Sequence, residues 1–128
     1  MRSRQQTVLI IFAVAFITVV MMACTKKQDA TVKVSFSKDI IPIFETSCAI
    51  NSGCHLGANN ANLHINLDSN DAYNTIINKQ LILTGNPSAS LLYVQVSSNV
   101  MPKAPYSALS STQVNLILNW IQQGGSNN

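Results

Sequence analysis

The stretch Cys48-Ala-Ile-Asn-Ser-Gly-Cys54-His55 is the most informative part of this 128-residue chain. It contains two thiols, with an imidazole directly after the second. Five residues separate the cysteines, so on a continuous helix, at about 100° per residue, the thiols would lie on different faces. Residues 51–53 are the turn formers Asn, Ser and Gly, and the glycine can adopt a positive φ without a Cβ penalty. We therefore expect the helix to break here and a looped segment to bring the thiols together.

A cysteine pair that ends in Cys-His is typical of covalent haem c attachment, although the usual spacing leaves two residues between the cysteines. Each thiol adds to one vinyl group, and the adjacent imidazole ligates the iron. A methionine from a distant loop can then ligate the other side of the iron. Met101, followed by Pro102, is the only methionine after residue 22. We expect it to be that ligand; the competing interpretation is a methionine that fills the core.

The first 23 residues have the layout of a secretory signal. Arg2 and Arg4 precede an apolar run over residues 8–22, and Ala23 stands before Cys24. The run is slightly shorter than the roughly 20 residues that a membrane-spanning helix needs. The segment resembles a bacterial lipoprotein signal, in which the cysteine is lipidated and becomes the mature N-terminus. We therefore expect lipidation at Cys24 and an exported, membrane-anchored lipoprotein on the periplasmic or cell-surface side; an uncleaved membrane anchor is the alternative.

Removal of the signal leaves a mature chain with little net charge. The full chain has eight Lys and Arg residues and five acidic residues, and two arginines lie in the signal. The six remaining lysines minus five acids give +1, which implies neither nucleic acid nor an acidic surface as a partner. The mature chain has 105 residues (128 minus 23), enough for one small domain with a modest core.

Hydrophobic spacing predicts that this domain is all-α with long loops. The last helix is the clearest, because its apolar residues follow the i, i+3, i+4, i+7 pattern of one helix face. We expect Ser110 or Ser111 to cap it and Gly124 to end it. Its apolar stripe consists of Val114, Ile117, Leu118 and Ile121.

Three further helices and a tether are expected upstream. Residues 24–35 are polar and are predicted to be a flexible tether. A helix is expected over residues 39–48, with Ser37 or Asp39 as its cap and Pro42 in its first turn. Two more are expected over residues 71–79 and 88–96.

In order and spacing, these features resemble a c-type cytochrome domain, and in particular the small exported family often called planctomycete-type cytochrome c. The resemblance covers residues 36–125 and leaves 126–128 as a short tail. The matching segments are Phe36-Ser-Lys-Asp-Ile-Ile-Pro-Ile-Phe44, Cys48, Gly53-Cys54-His55, Gly85-Asn-Pro-Ser-Ala-Ser-Leu-Leu-Tyr93, Met101-Pro102, and Trp120-Ile121 with Gly124.

The resemblance implies a cytochrome c-like fold wrapped around one covalent haem c. In that family pattern, Cys48 and Cys54 are the thioether ligands, His55 is the proximal iron ligand and Met101 is the distal one. The implied function is that of a monohaem electron carrier, which exchanges electrons with redox partner proteins and has no substrate chemistry of its own. The five-residue spacing departs from the family pattern, so attachment through Cys54 alone and attachment through both cysteines are both open.

Other interpretations of the same residues remain. Cys48 and Cys54 could form a disulfide in an exported, haem-free lipoprotein module that binds a surface partner. A zinc site would need a fourth ligand beside the two cysteines and His55, and His64 is the available residue. His64 is also the reserve axial ligand if Met101 does not bind iron. An open distal site would instead suit a peroxidase-like or sensor haem.

Overall fold

The computed structural model describes residues 32–58 and 64–128; the predicted signal segment and Cys24 lie outside them. This part of the chain contains helices and no strands, which confirms the all-α prediction. None of the helices described is long and apolar enough to cross a membrane. The elements are a π-helical turn at Phe36–Ile40, α1 at Ile41–Ser47, α2 at Ala72–Asn78, a 3-10 turn at Pro87–Ala89, α3 at Leu91–Ser97 and α4 at Ser111–Gln122.

The first helical segment begins earlier than predicted. Ser35 is its N-cap, so the prediction of Ser37 or Asp39 was wrong. The Ser35 hydroxyl accepts a hydrogen bond from the Lys38 N–H, and the Asp39 carboxylate accepts one from the Ser35 N–H at 2.7 Å. Asp39 thus supports the cap by accepting from the Ser35 N–H, rather than acting as the cap itself. Pro42 lies in the first turn of α1, as expected, where its missing N–H is not needed.

The helix predicted over residues 88–96 is divided at Ser90. This residue is extended (φ −60°, ψ 129°) and fully buried between the 3-10 turn and α3. Its hydroxyl accepts a hydrogen bond from the Leu83 N–H at 2.9 Å, which gives the buried polar group a partner. The helix is therefore divided by a tertiary contact, because the Ser90 side chain bonds to the preceding loop.

The last helix is as predicted. Ser110 is the N-cap of α4, and it forms a full capping box with Gln113. Ile117 and Ile121, from the predicted stripe, are buried together with Trp120. Gly124 follows the helix with a φ of +99°, a conformation that a residue with a Cβ rarely adopts.

The buried centre of the domain is aromatic. The ring of Phe36 lies 5.0 Å from that of Trp120, 5.4 Å from that of Tyr73 and 6.3 Å from that of Phe44, measured between centroids. The indole N–H of Trp120 donates to the carbonyl of Ser126 at 2.9 Å, so the buried ring has no unsatisfied donor. We call this group, together with the helices that bury it, the terminal core.

Both ends of the described chain meet beside the terminal core. The Asn128 side chain accepts a hydrogen bond from the Phe36 N–H at 2.8 Å, and its main-chain oxygen accepts one from the Ser37 N–H at 3.0 Å. The Gln123 side chain accepts from the Val34 N–H at 2.9 Å. Residues 32–35, assigned to the tether, and 126–128, assigned to the tail, therefore pack against the helical domain.

Candidate functional site

The cysteine loop, residues 48–55, closes on itself directly after α1. The Cys48 carbonyl accepts a hydrogen bond from the His55 N–H at 3.0 Å, which brings the two ends of the loop together. Inside the loop, the Asn51 carbonyl accepts from the Cys54 N–H at 2.9 Å. The Asn51 side-chain oxygen accepts from the Gly53 N–H, also at 2.9 Å. The predicted helix break is thus confirmed, and Asn51 is the residue that shapes the turn.

Gly53 is needed for space rather than for its φ angle. Gly53 does not use the positive φ that a glycine can adopt; the positive-φ glycines among the residues described are Gly57, Gly124 and Gly125. A Cβ added to Gly53 would lie 3.1 Å from the Asn51 side-chain oxygen, which is unusually close. A side chain here would therefore push against the oxygen that accepts the hydrogen bond from the Gly53 N–H.

A cavity of about 580 Å³ lies beside the cysteine loop, within the roughly 300–1,000 Å³ range of cofactor and ligand pockets. Cys48, Cys54 and His55 line it, and so does Met101 from a loop far downstream. The structure therefore brings all four predicted ligands to one space. Most of the remaining wall is apolar and consists of Ile65, Leu67, Leu81, Leu91, Leu92 and Val96.

The imidazole of His55 is held through one ring nitrogen. Its Nδ1 lies 3.1 Å from the Ile65 carbonyl oxygen, and because a carbonyl only accepts hydrogen bonds, Nδ1 carries the proton. The lone pair is then on Nε2, the nitrogen available for a metal. Burial lowers the pKa of His55; the bond to Ile65 opposes this and the nearby Lys103 ammonium adds to it. The net effect favours the neutral imidazole that metal ligation requires.

Asn66 fixes the segment that follows His55. Its buried side chain accepts hydrogen bonds from the Gly57 N–H at 2.9 Å and the Asp68 N–H at 3.2 Å. It donates to carboxylate oxygens of Asp68 at 2.9 Å and Asp71 at 3.1 Å. Asn66 is not identifiable from the sequence, because an asparagine in a loop has no distinctive spacing. The alternation Ile65-Asn66-Leu67 was the only available signal.

The two thiols differ in their surroundings. Cys48 is buried and Cys54 is half-buried, and the structure has both as thiols rather than as a disulfide. Desolvation, and to a smaller extent the nearby Cys54, raise the pKa of Cys48 to about 12. Cys48 is therefore a poor nucleophile unless its proton is taken up during reaction.

Met101 begins a loop that returns towards the cysteine loop. Its N–H donates to the Gln95 carbonyl at 3.0 Å, which fixes the start of this loop to α3. Lys103 and Tyr106, further along, also line the cavity. The hydroxyl of Tyr106 accepts a hydrogen bond from the Asn51 side-chain NH₂ at 2.8 Å. Nothing in the sequence identifies this contact between the two loops.

His64 does not join the other candidate ligands. It is exposed, its Nδ1 is 3.0 Å from the Ala58 carbonyl, and it does not line the cavity. Within residues 32–58 and 64–128, no group of three His, Cys, Asp or Glu side chains is arranged to hold a metal ion. The zinc interpretation, with His64 as the fourth ligand, therefore gains no support from the geometry.

Comparisons with known proteins do not add a family. Neither a protein-family model nor a curated protein nor a solved structure matches this chain. The resemblance to c-type cytochromes stays a prediction from the sequence motifs.

Proposed function

We propose that this protein is a monohaem c-type cytochrome, tethered to a bacterial membrane, that carries one electron at a time between redox partner proteins. The observation that carries the proposal is the shared cavity. Cys48, Cys54, His55 and Met101 all line it, although Met101 comes from a different loop. These four residue types are the ones that a covalent haem with His/Met ligation needs.

The cavity suits a haem in its chemistry as well as its size. Haem presents a large apolar surface, and the cavity wall outside the cysteine loop includes leucine, isoleucine and valine side chains. Burial of that surface would add an apolar centre to a small domain. Cys48 and Cys54 would hold the group as thioethers, and His55 and Met101 would ligate its iron. The bound group would supply a one-electron iron couple.

The protein's own contribution begins with His55. The hydrogen bond from its Nδ1 to the Ile65 carbonyl fixes the ring and leaves Nε2 for the iron. The Met101 thioether favours ferrous iron, so His/Met ligation raises the reduction potential. The apolar wall excludes water from the site. Export and lipidation at Cys24 would place the domain beside membrane-bound redox partners.

The decisive experiment is a pyridine haemochrome spectrum of protein that has been exported with haem-attachment machinery. We expect a c-type α-band and an intact mass increased by one haem. A haem-free protein that has lost only two hydrogens would contradict the proposal and favour the disulfide-linked binding module.

Single cysteine variants resolve how the haem is attached. If both thioethers form, Cys48→Ala and Cys54→Ala should each leave one vinyl group intact and shift the α-band to longer wavelength. If Cys54 alone carries the haem, Cys48→Ala should leave the α-band unchanged. Replacement of Cys24, which lies outside the cysteine loop, is the control and should not move the band in either case.

Met101→Ala tests the distal ligand. We expect loss of the sulfur-to-iron charge-transfer band and a lower reduction potential, because the thioether no longer stabilises ferrous iron. The control is Val100→Ala, at the neighbouring exposed residue. An unchanged ferric spectrum in Met101→Ala would instead indicate an open distal site, as in a haem sensor or peroxidase.

A further inference from the structure

Asn51 belongs to the five residues between the two cysteines, and both ends of its side-chain amide make hydrogen bonds. The oxygen accepts from the Gly53 N–H at 2.9 Å, within the cysteine loop. The nitrogen donates to the Tyr106 hydroxyl at 2.8 Å, in the loop that contains Met101. The five residues between the cysteines therefore do more than form the turn of the cysteine loop. They also connect the two loops that carry the proposed iron ligands.

The loop from Met101 to Tyr106 is held near both of its ends. The Met101 N–H donates to the Gln95 carbonyl at 3.0 Å at the start. At the other end, Tyr106 contacts Asn51, and its N–H donates to the Lys103 carbonyl at 3.1 Å. If the contact with Asn51 is lost, the far end of the loop loses its hydrogen bond to the cysteine loop.

We propose that the Asn51–Tyr106 hydrogen bond is a positioning contact that holds Met101 on the iron. This inference rests on the proposed function. Met101 and Tyr106 lie on one short loop, so movement of the thioether away from the cavity would separate Tyr106 from Asn51. The hydrogen bond would then exist only while the Met101 thioether lies in the cavity. It would stabilise that position of Met101 by its own net free energy. Neither residue would touch the iron.

The expected size of the effect follows from the exposure of the contact. Both side chains are partly open to solvent, so the net contribution is that of an ordinary neutral hydrogen bond rather than a buried one. Loss of such a bond should change the equilibrium between bound and released Met101 by about threefold to tenfold. The ferric iron should therefore release Met101 more readily by this factor.

The experiment measures imidazole binding to the ferric holoprotein, because imidazole must displace the Met101 thioether. We expect Tyr106→Phe to bind imidazole about threefold to tenfold more tightly than the wild type. Asn51→Ala should do the same. Asn51→Asp should behave like the wild type, since its carboxylate can still accept from the Gly53 N–H and from the Tyr106 hydroxyl. Tyr93→Phe, in α3, is the matched control because Tyr93 does not line the cavity.

The outcomes separate this inference from the function on which it rests. Covalent haem in the wild type, with unchanged imidazole affinity in Tyr106→Phe and Asn51→Ala, would overturn only the positioning contact. An equal gain in Tyr93→Phe would also overturn it, because the effect would then be general loosening. A wild type without covalent haem would overturn the proposed function and this inference with it. Tyr106→Phe removes a single exposed hydroxyl, and the double variant with Asn51→Ala should show no further gain.

Discussion

The terminal core and the cavity loops are built in different ways. In the terminal core, Phe36, Tyr73 and Trp120 pack within a few ångströms of each other, and α4 supplies a continuous buried face. Around the cavity, residues 48–55 and 101–106 contain no regular helix. Their shape depends on single hydrogen bonds such as those made by Asn51.

This difference suggests that the terminal core determines the stability of the domain, whereas the cavity loops determine the geometry of the site. Apolar packing contributes most of the free energy of folding, and it is concentrated where aromatic rings meet. Of the candidate ligands, Cys48 belongs to the buried apolar cluster, whereas Cys54, His55 and Met101 lie outside it, which leaves their positions sensitive to individual polar groups. Changes in the terminal core should therefore unfold the domain, whereas changes in the cavity loops should alter the site while the domain stays folded.

The largest expected effect is on the terminal core. Trp120→Ala should lower the free energy of unfolding by about 3–5 kcal/mol, because it removes a fully buried ring and leaves a cavity beside Phe36. Chemical denaturation followed by circular dichroism measures this. Trp120→Phe should cost less, since it keeps an aromatic ring but loses the hydrogen bond to Ser126. A loss below about 1 kcal/mol in Trp120→Ala would contradict the division between the two regions.

The second prediction concerns thiol reactivity in the haem-free protein. Cys48 should react with iodoacetamide about 100-fold more slowly than an ordinary exposed thiol at pH 8, because burial raises its pKa to about 12. Mass spectrometry of proteolytic peptides distinguishes Cys48 from Cys54. In guanidinium chloride the rates of the two cysteines should converge. Equal rates in the folded protein would mean that the cysteine loop opens readily.

The sequence predicted the terminal core better than the cavity loops. The stripe and cap of α4 follow from helix periodicity and from the capping chemistry of Ser110, both of which are local. The four candidate ligands could be named because a Cys-His motif and a lone methionine are distinctive; they line one cavity, and their role as ligands stays a prediction. Asn66 and the contact between Asn51 and Tyr106 could not be predicted. They depend on distances between loops, and asparagine and tyrosine are common in loops of every kind.

A third prediction tests whether one polar side chain supports the segment that follows His55. Asn66→Ala should lower the free energy of unfolding by about 1–3 kcal/mol, because the Gly57 and Asp68 N–H groups lose their acceptor. The same denaturation experiment measures it. Asn70→Ala, at an exposed residue of the same segment, is the control and should stay within about 0.5 kcal/mol. An equal loss in both variants would assign the effect to the segment as a whole rather than to Asn66.

The smallest expected effect is the pH dependence of the haem-free protein. Burial lowers the pKa of His55 in the folded state from its ordinary value of 6.5, so below that pH the unfolded chain binds more protons than the folded one. Stability should therefore be fully present above about pH 7 and fall as the pH drops through 6.5 towards the folded pKa. The loss should stay below about 1 kcal/mol, because the imidazole is only half-buried. Urea midpoints at pH 7.5 and 5.5 measure it.

Two variants assign this pH dependence to the cavity loops. His55→Gln should remove most of the fall between pH 7.5 and 5.5, because it removes the imidazole whose pKa is lowered by burial. His64→Asn should leave the fall in place, since His64 is exposed, and asparagine tolerates its positive φ of 54°. Asp68 contributes only at lower pH. Burial would raise its pKa, but hydrogen bonds from Asn66 and the Asp71 and Asn70 N–H groups hold it below its usual range, so that contribution is lost only as the carboxylate is protonated. A fall of the same size in His55→Gln would contradict this assignment, because the pH dependence would then come from a group other than His55.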